Sequence, residues 1–114
     1  MFEHPNDNDL VGIVYNADWG GFSLSDAAVV LYARFKGIYP DEVDTYDVPR
    51  DDPKLVNVVC EMGKEASGSG SCLRIKWVPK GALYRIDEYD GQETVVLAEN
   101  QKWLRAGDAD GKYY

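Results

Sequence analysis

Between Leu10 and Asn16 the chain is apolar almost without interruption, and the alternate members Val11, Ile13 and Tyr15 mark one face of a strand. Asp18, Trp19, Gly20 and Gly21 break that run. From Leu24 the period changes, because Leu24, Ala27, Ala28, Leu31 and Phe35 fall on one stripe at helical spacing. Ser25 is the natural N-cap, since Leu24 before it and Val29 after it form a hydrophobic staple. Ser23 with Asp26 offers a capping box instead. Gly37 supplies a left-handed stop. Strand, glycine turn and capped helix thus form the unit around which the chain is organised.

The segment from Ile38 to Arg50 sets acids at 41, 42, 44 and 47 between Tyr39, Val43, Tyr46 and Val48. This composition suits a solvated loop with one edge strand, and a lid or recognition strip is the functional alternative. Asp52 followed by Pro53 is a helix start, because the carboxylate accepts from free amides and proline at the first position loses no bond. The second helix is expected over Pro53 to Ala66, with Leu55, Val56, Val59, Cys60 and Met62 on its apolar face and Gly63 at a close packing point. Ser67 to Ser71 reads as a flexible linker; no Lys-Ser or Lys-Thr follows it, so it is not a phosphate-binding loop.

Leu73, Ile75 and Trp77 alternate with Arg74 and Lys76 as in a half-buried strand that Pro79 ends. Asp90-Gly91 then predicts a two-residue hairpin turn. With that pair at the tip, Tyr89 faces Gln92, Glu88 faces Glu93, Asp87 faces Thr94, Ile86 faces Val95 and Tyr84 faces Leu97, so Tyr84, Ile86, Val95 and Leu97 share the core side. The sum is an α+β two-layer sandwich: a mainly antiparallel sheet of about four strands with two helices on one face. Residues 1–9 are expected to be a flexible leader, 10–104 a single domain and 105–114 a flexible tail.

Charge and composition narrow the function classes. A net charge of −8 argues against binding a nucleic-acid backbone. Cys60 and Cys72, with no secretory signal before them, fit a reduced intracellular protein, and no Cys/His cluster suggests zinc. No apolar run has membrane-spanning length. The single histidine, His4, lies in the leader, which disfavours a triad or any His-dependent mechanism.

Three clusters carry candidate chemistry. Glu88 and Glu93 oppose one another, so they either bind a divalent metal or share a proton at the core rim, or else splay into water at the hairpin tip. Asp108, Asp110 and Gly111 are a fragment of a calcium loop without its remaining ligands. Trp19, Gly20, Gly21, Phe22, Ser23 and Ser25 make a turn whose exposed indole and helix-start amides could form a binding face for an anion. Arg50 either joins that anion or salt-bridges Asp87, Glu88 or Asp90.

The pieces Gly20-Gly21-Phe22-Ser23-Leu24-Ser25, then Arg50, Asp52, Pro53, Leu55 and Val56, then Glu88-Tyr89-Asp90-Gly91 resemble a family of small, mostly uncharacterised proteins of bacteriophages and large DNA viruses. The resemblance runs from Val11 to about Trp103. Val78 stands where that family has isoleucine, and Lys80, Gly81 and Ala82 stand where it has acids. The resemblance implies a viral origin and no particular chemistry. The expectation is a non-enzymatic viral accessory protein in the host cytoplasm, binding a host protein or sequestering a small anionic ligand through Trp19 to Ser25 and Arg50. No cofactor is required. The competing classes are a small metal-dependent hydrolase using Glu88 and Glu93, and a minor virion protein that assembles as a homo-oligomer through a sheet edge.

Overall fold

The computed structural model describes residues 9–100. Four strands and two helices appear in the order β1 (Leu10–Asn16), α1 (Asp26–Lys36), α2 (Pro53–Met62), β2 (Leu73–Pro79), β3 (Tyr84–Tyr89) and β4 (Gln92–Leu97). This is an α+β fold with antiparallel strands, as the sequence pattern indicates. The strands divide into two ribbons, β1 with β2 and β3 with β4, instead of one continuous sheet.

The ribbons remain separate because the free edge of β1 bonds to the Arg50 carbonyl and the Glu93 side chain instead of the β4 backbone, and β1 is covered on both faces. Directly paired residues share a face, and Val14 lies opposite Ile75, Asn16 opposite Leu73 and Gly12 opposite Trp77. Val14, Leu73, Ile75 and Trp77 pack with the helices, against Ala28, Tyr32, Leu55, Val56 and Val59. Val11 and Ile13 point the other way and, with Val78, meet Leu97, Ile86 and Val95 of the second ribbon. The near-continuous apolar run of β1 therefore reflects burial on both sides.

Local chemistry sets the helix ends. Ser25 Oγ accepts from Ala28 N at 3.1 Å and donates to Glu65 O at 2.7 Å. Gly37 closes α1 at φ 72°. Leu24, Ala28, Leu31 and Phe35 of the expected stripe pack in the core, Ala27 is exposed, and Tyr32 and Ala33 are buried beside them. In α2, Asp52 Oδ1 accepts from Lys54 N at 2.9 Å. This helix stops at Met62, where Gly63 at φ 59° passes the chain into a 3-10 turn ending at Ala66.

Two expectations are corrected. No strand forms among residues 39–50; a short 3-10 turn at Pro40–Glu42 is the only regular element there. Nor is Ser67 to Ser71 a linker. Ser67 Oγ accepts from Leu73 N, Gly68 N donates to Ser23 O, and a Cβ on Gly70 would touch Gly20. The turn packs because its glycines allow two backbones to approach where side chains would collide.

Candidate functional site

The hairpin tip has the register read from the sequence, with Tyr89 paired to Gln92 and Glu88 to Glu93. Asp90 at φ 53° and Gly91 at φ 91° give the two left-handed residues of a type I′ turn. This tip does not project freely. A Cβ on Gly91 would overlap the Trp19 carbonyl and the Gly21 amide, so the tip is seated on the Asp18–Gly21 turn.

Asn16 joins the two turns, and its relative exposure is 0%. Its Nδ2 donates to Asp18 O at 2.7 Å and to Gly91 O at 2.8 Å. Its Oδ1 accepts from Asp18 N, Ser71 Oγ and Cys72 N at 3.1, 3.1 and 2.8 Å. Gln92 Nε2 adds a further bond to Ala17 O. One amide thus ties together the end of β1, the glycine turn, the Ser67–Ser71 turn and the hairpin tip. Because a buried amide with both donors and its oxygen satisfied holds its neighbours in one arrangement, the junction is rigid.

Trp19 and Tyr89 stand on this junction. Their rings meet edge to face, with centroids 6.2 Å apart and planes at 74°. Relative exposures are 56% for Trp19 and 76% for Tyr89. Exposed carboxylates flank both in the chain: Asp18 before Trp19, and Glu88 and Asp90 around Tyr89. The result is an aromatic pair with an acidic rim, carried on a fixed base.

Arg50 is used differently from either expectation. Its Nη1 and Nη2 donate to Glu93 Oε1 and Oε2 at 2.6 and 2.9 Å, and its guanidinium lies 3.6 Å from the Phe22 ring centroid. Asp87, expected as one of its partners, pairs with Arg85. Glu93 is buried and also accepts from Asn16 N at 2.9 Å, while Glu88 opposite it is exposed. The hairpin places the two glutamates directly across from each other, yet their surroundings separate them: one is neutralised inside, the other is solvated. Among the described residues no group of three His, Cys, Asp or Glu side chains comes together as a metal site.

The other residues of the expected site divide. Gly20 and Gly21 make close backbone contacts, Phe22 carries the Arg50 stack, and Ser25 caps α1. Ser23 Oγ is buried without a hydrogen-bond partner, in the space a Cβ on Gly68 would need. Tyr89, which sequence reasoning placed in a hairpin pair and in the Glu88–Gly91 motif but not in a site, joins Trp19 as the second exposed ring. The signal available was the tip itself, since an Asp-Gly turn following an aromatic displays that ring at the end of a ribbon. His4, Trp103 and the Asp108–Gly111 fragment lie outside the described residues.

A second polar assembly lies at the start of α2. Tyr32 Oη donates to Asp52 Oδ2 at 2.6 Å and Lys36 Nζ donates to the same oxygen at 3.1 Å. Burial alone would raise the Asp52 carboxyl, but the Tyr32 hydroxyl, the Lys54 amide and Lys36 outweigh it and hold the group below its usual range. Tyr32 is pushed well above the ordinary tyrosine range by burial and by the same carboxylate. These shifts belong to a helix cap and need no catalytic role.

Comparison with protein families, with curated proteins and with solved structures finds no match to this chain. No described helix is long and apolar enough to cross a membrane.

Proposed function

We propose that this chain is a non-enzymatic viral accessory protein that binds a partner protein through the Trp19–Tyr89 face, and that the partner presents a basic segment. The viral part of this reading rests on the motif resemblance. The binding part rests on one observation: two exposed aromatic rings in edge-to-face contact, mounted on a buried and fully bonded asparagine. Large aromatics on a pre-ordered base lose little entropy on binding, which is what anchors at protein interfaces require. Asp18, Glu88 and Asp90 set the sign of the partner's charge, because lysine or arginine can lie against the ring faces while pairing with the rim. Arg50, already held by Glu93 and Phe22, serves the frame of this face instead of an anion.

A random-peptide display library tests the reading. Selection on the wild-type protein, with counter-selection on Trp19→Ala/Tyr89→Ala, is expected to enrich peptides containing Arg or Lys. Peptides of no common charge, or peptides that bind the double variant equally well, would contradict it. Amide spectra of the double variant control for the fold.

A further inference from the structure

On the opposite face of β1 and β2 from the helices lies a cleft of about 310 Å³, lined by Tyr15, Ala17, Lys76, Gln92, Glu93, Thr94 and Val95. We infer that this cleft binds a small organic anion, a carboxylate or a phosphate monoester, with Lys76 as its principal countercharge. The site is distinct from the Trp19–Tyr89 face and does not depend on that proposal.

The first argument is charge. The protein carries 20 acidic residues against 12 basic ones, yet Arg74 and Lys76 make no ion pair among the described residues. They lie two positions apart on β2, paired with Tyr15 and Ile13 of β1, so both project on the face that holds the cleft. Glu93 is the carboxylate of the cleft wall, and both its oxygens are held by Arg50, with Asn16 N adding a third bond. The negative charge that would repel an anion is therefore neutralised from behind, while the positive charge in front is left available.

The second argument is the strand edge. Ala98 N donates to Leu83 O, which fixes the parity of the hairpin ladder. Residues 92, 94 and 96 bond to β3, so the peptide groups of Glu93 and Val95 face outward from β4, toward the cleft. An anion between Lys76 and this edge has an ammonium and a backbone N–H to accept from, and the Tyr15 ring and Val95 offer apolar wall. Gln92 Nε2, bonded to Ala17 O at 3.1 Å, ties together two residues of the cleft wall.

The test is a titration followed by amide NMR, with benzoate and phenyl phosphate as probes and sodium chloride at matched ionic strength as the control. Saturable shifts at Lys76, Thr94 and Val95 with either probe are expected, and the stronger of the two identifies the anion class. Lys76→Met keeps the alkyl stem and removes the charge at an exposed site, and it should weaken binding roughly tenfold. Trp19→Ala should leave binding unchanged. Shifts that never saturate, shifts matched by chloride, or equal affinity in Lys76→Met would overturn the assignment. A dispersed spectrum for Lys76→Met shows that lost binding is not lost structure.

Discussion

The Arg50 guanidinium grips both oxygens of Glu93, at 2.6 and 2.9 Å, across 43 positions of sequence. The same two residues close the free edge of β1. Val14 N donates to Arg50 O at 2.8 Å, Arg50 Nη1 donates to Val14 O at 3.4 Å, and Asn16 N donates to Glu93 Oε1. An edge that would otherwise offer unpaired backbone groups to another strand is thereby filled from within.

Breaking the pair leaves a buried partner uncompensated. Glu93→Gln should destabilise the fold by about 3 kcal/mol in urea unfolding, and Arg50→Met by a similar amount. The double variant Arg50→Met/Glu93→Gln should lose less than the two single losses added together, because neither charge is then orphaned. Strict additivity would show that the pair is not coupled.

Asn16 is expected to be the least replaceable polar residue. Asn16→Ala removes its side-chain bonds and strands the carbonyls of Asp18 and Gly91, at a cost of about 3 kcal/mol or more. Asn16→Asp puts a charged oxygen against those two carbonyls, so it should be unstable at neutral pH and recover partly on acidification. A pH-independent Asn16→Asp variant of wild-type stability would refute the hub.

The turns make opposite predictions about small changes. Gly91→Ala should cost about 2 kcal/mol, since its φ of 91° and the Trp19 carbonyl leave no room for a Cβ. Ser23→Ala should be neutral or slightly stabilising, because it deletes a buried hydroxyl that has no partner. Thermal melts of both variants check the pair of outcomes, and marked destabilisation of Ser23→Ala would mean that its hydroxyl is bonded.

Stability should depend on pH through Asp52 and Tyr32. A carboxyl lowered in the fold contributes fully above its unfolded value, near 3.8, and that contribution is lost as the pH falls through the lower folded value. A phenol raised in the fold contributes fully below its unfolded value of 10.0, and that contribution declines as the pH rises above it. Asp52→Asn should flatten the acid limb and weaken the alkaline one. An unchanged acid limb in that variant would assign acid unfolding to other carboxylates.

Much of the backbone was legible because its determinants are local. Ser25, Gly37 and the Asp52-Pro53 pair end helices through their own atoms, and Asp90-Gly91 sets the hairpin register by requiring two left-handed residues. The division into two ribbons was hidden, because no local pattern shows that Arg50 and Glu93 fill the free edge of β1. The site was half legible. Trp19 beside two glycines pointed to an exposed ring, but Glu88 and Glu93 are equivalent in a local pattern. Only the path of the chain at Arg50 decides which of them is covered.

The most direct test of the binding face is calorimetric titration of one display-selected basic peptide into the wild type, Trp19→Ala, Tyr89→Ala and Lys76→Met. Loss of either ring should weaken binding roughly tenfold or more, as for a central aromatic anchor, while Lys76→Met leaves it unchanged. Equal affinity for the wild type and both ring variants would contradict the assignment of Trp19 and Tyr89 as the partner-binding face.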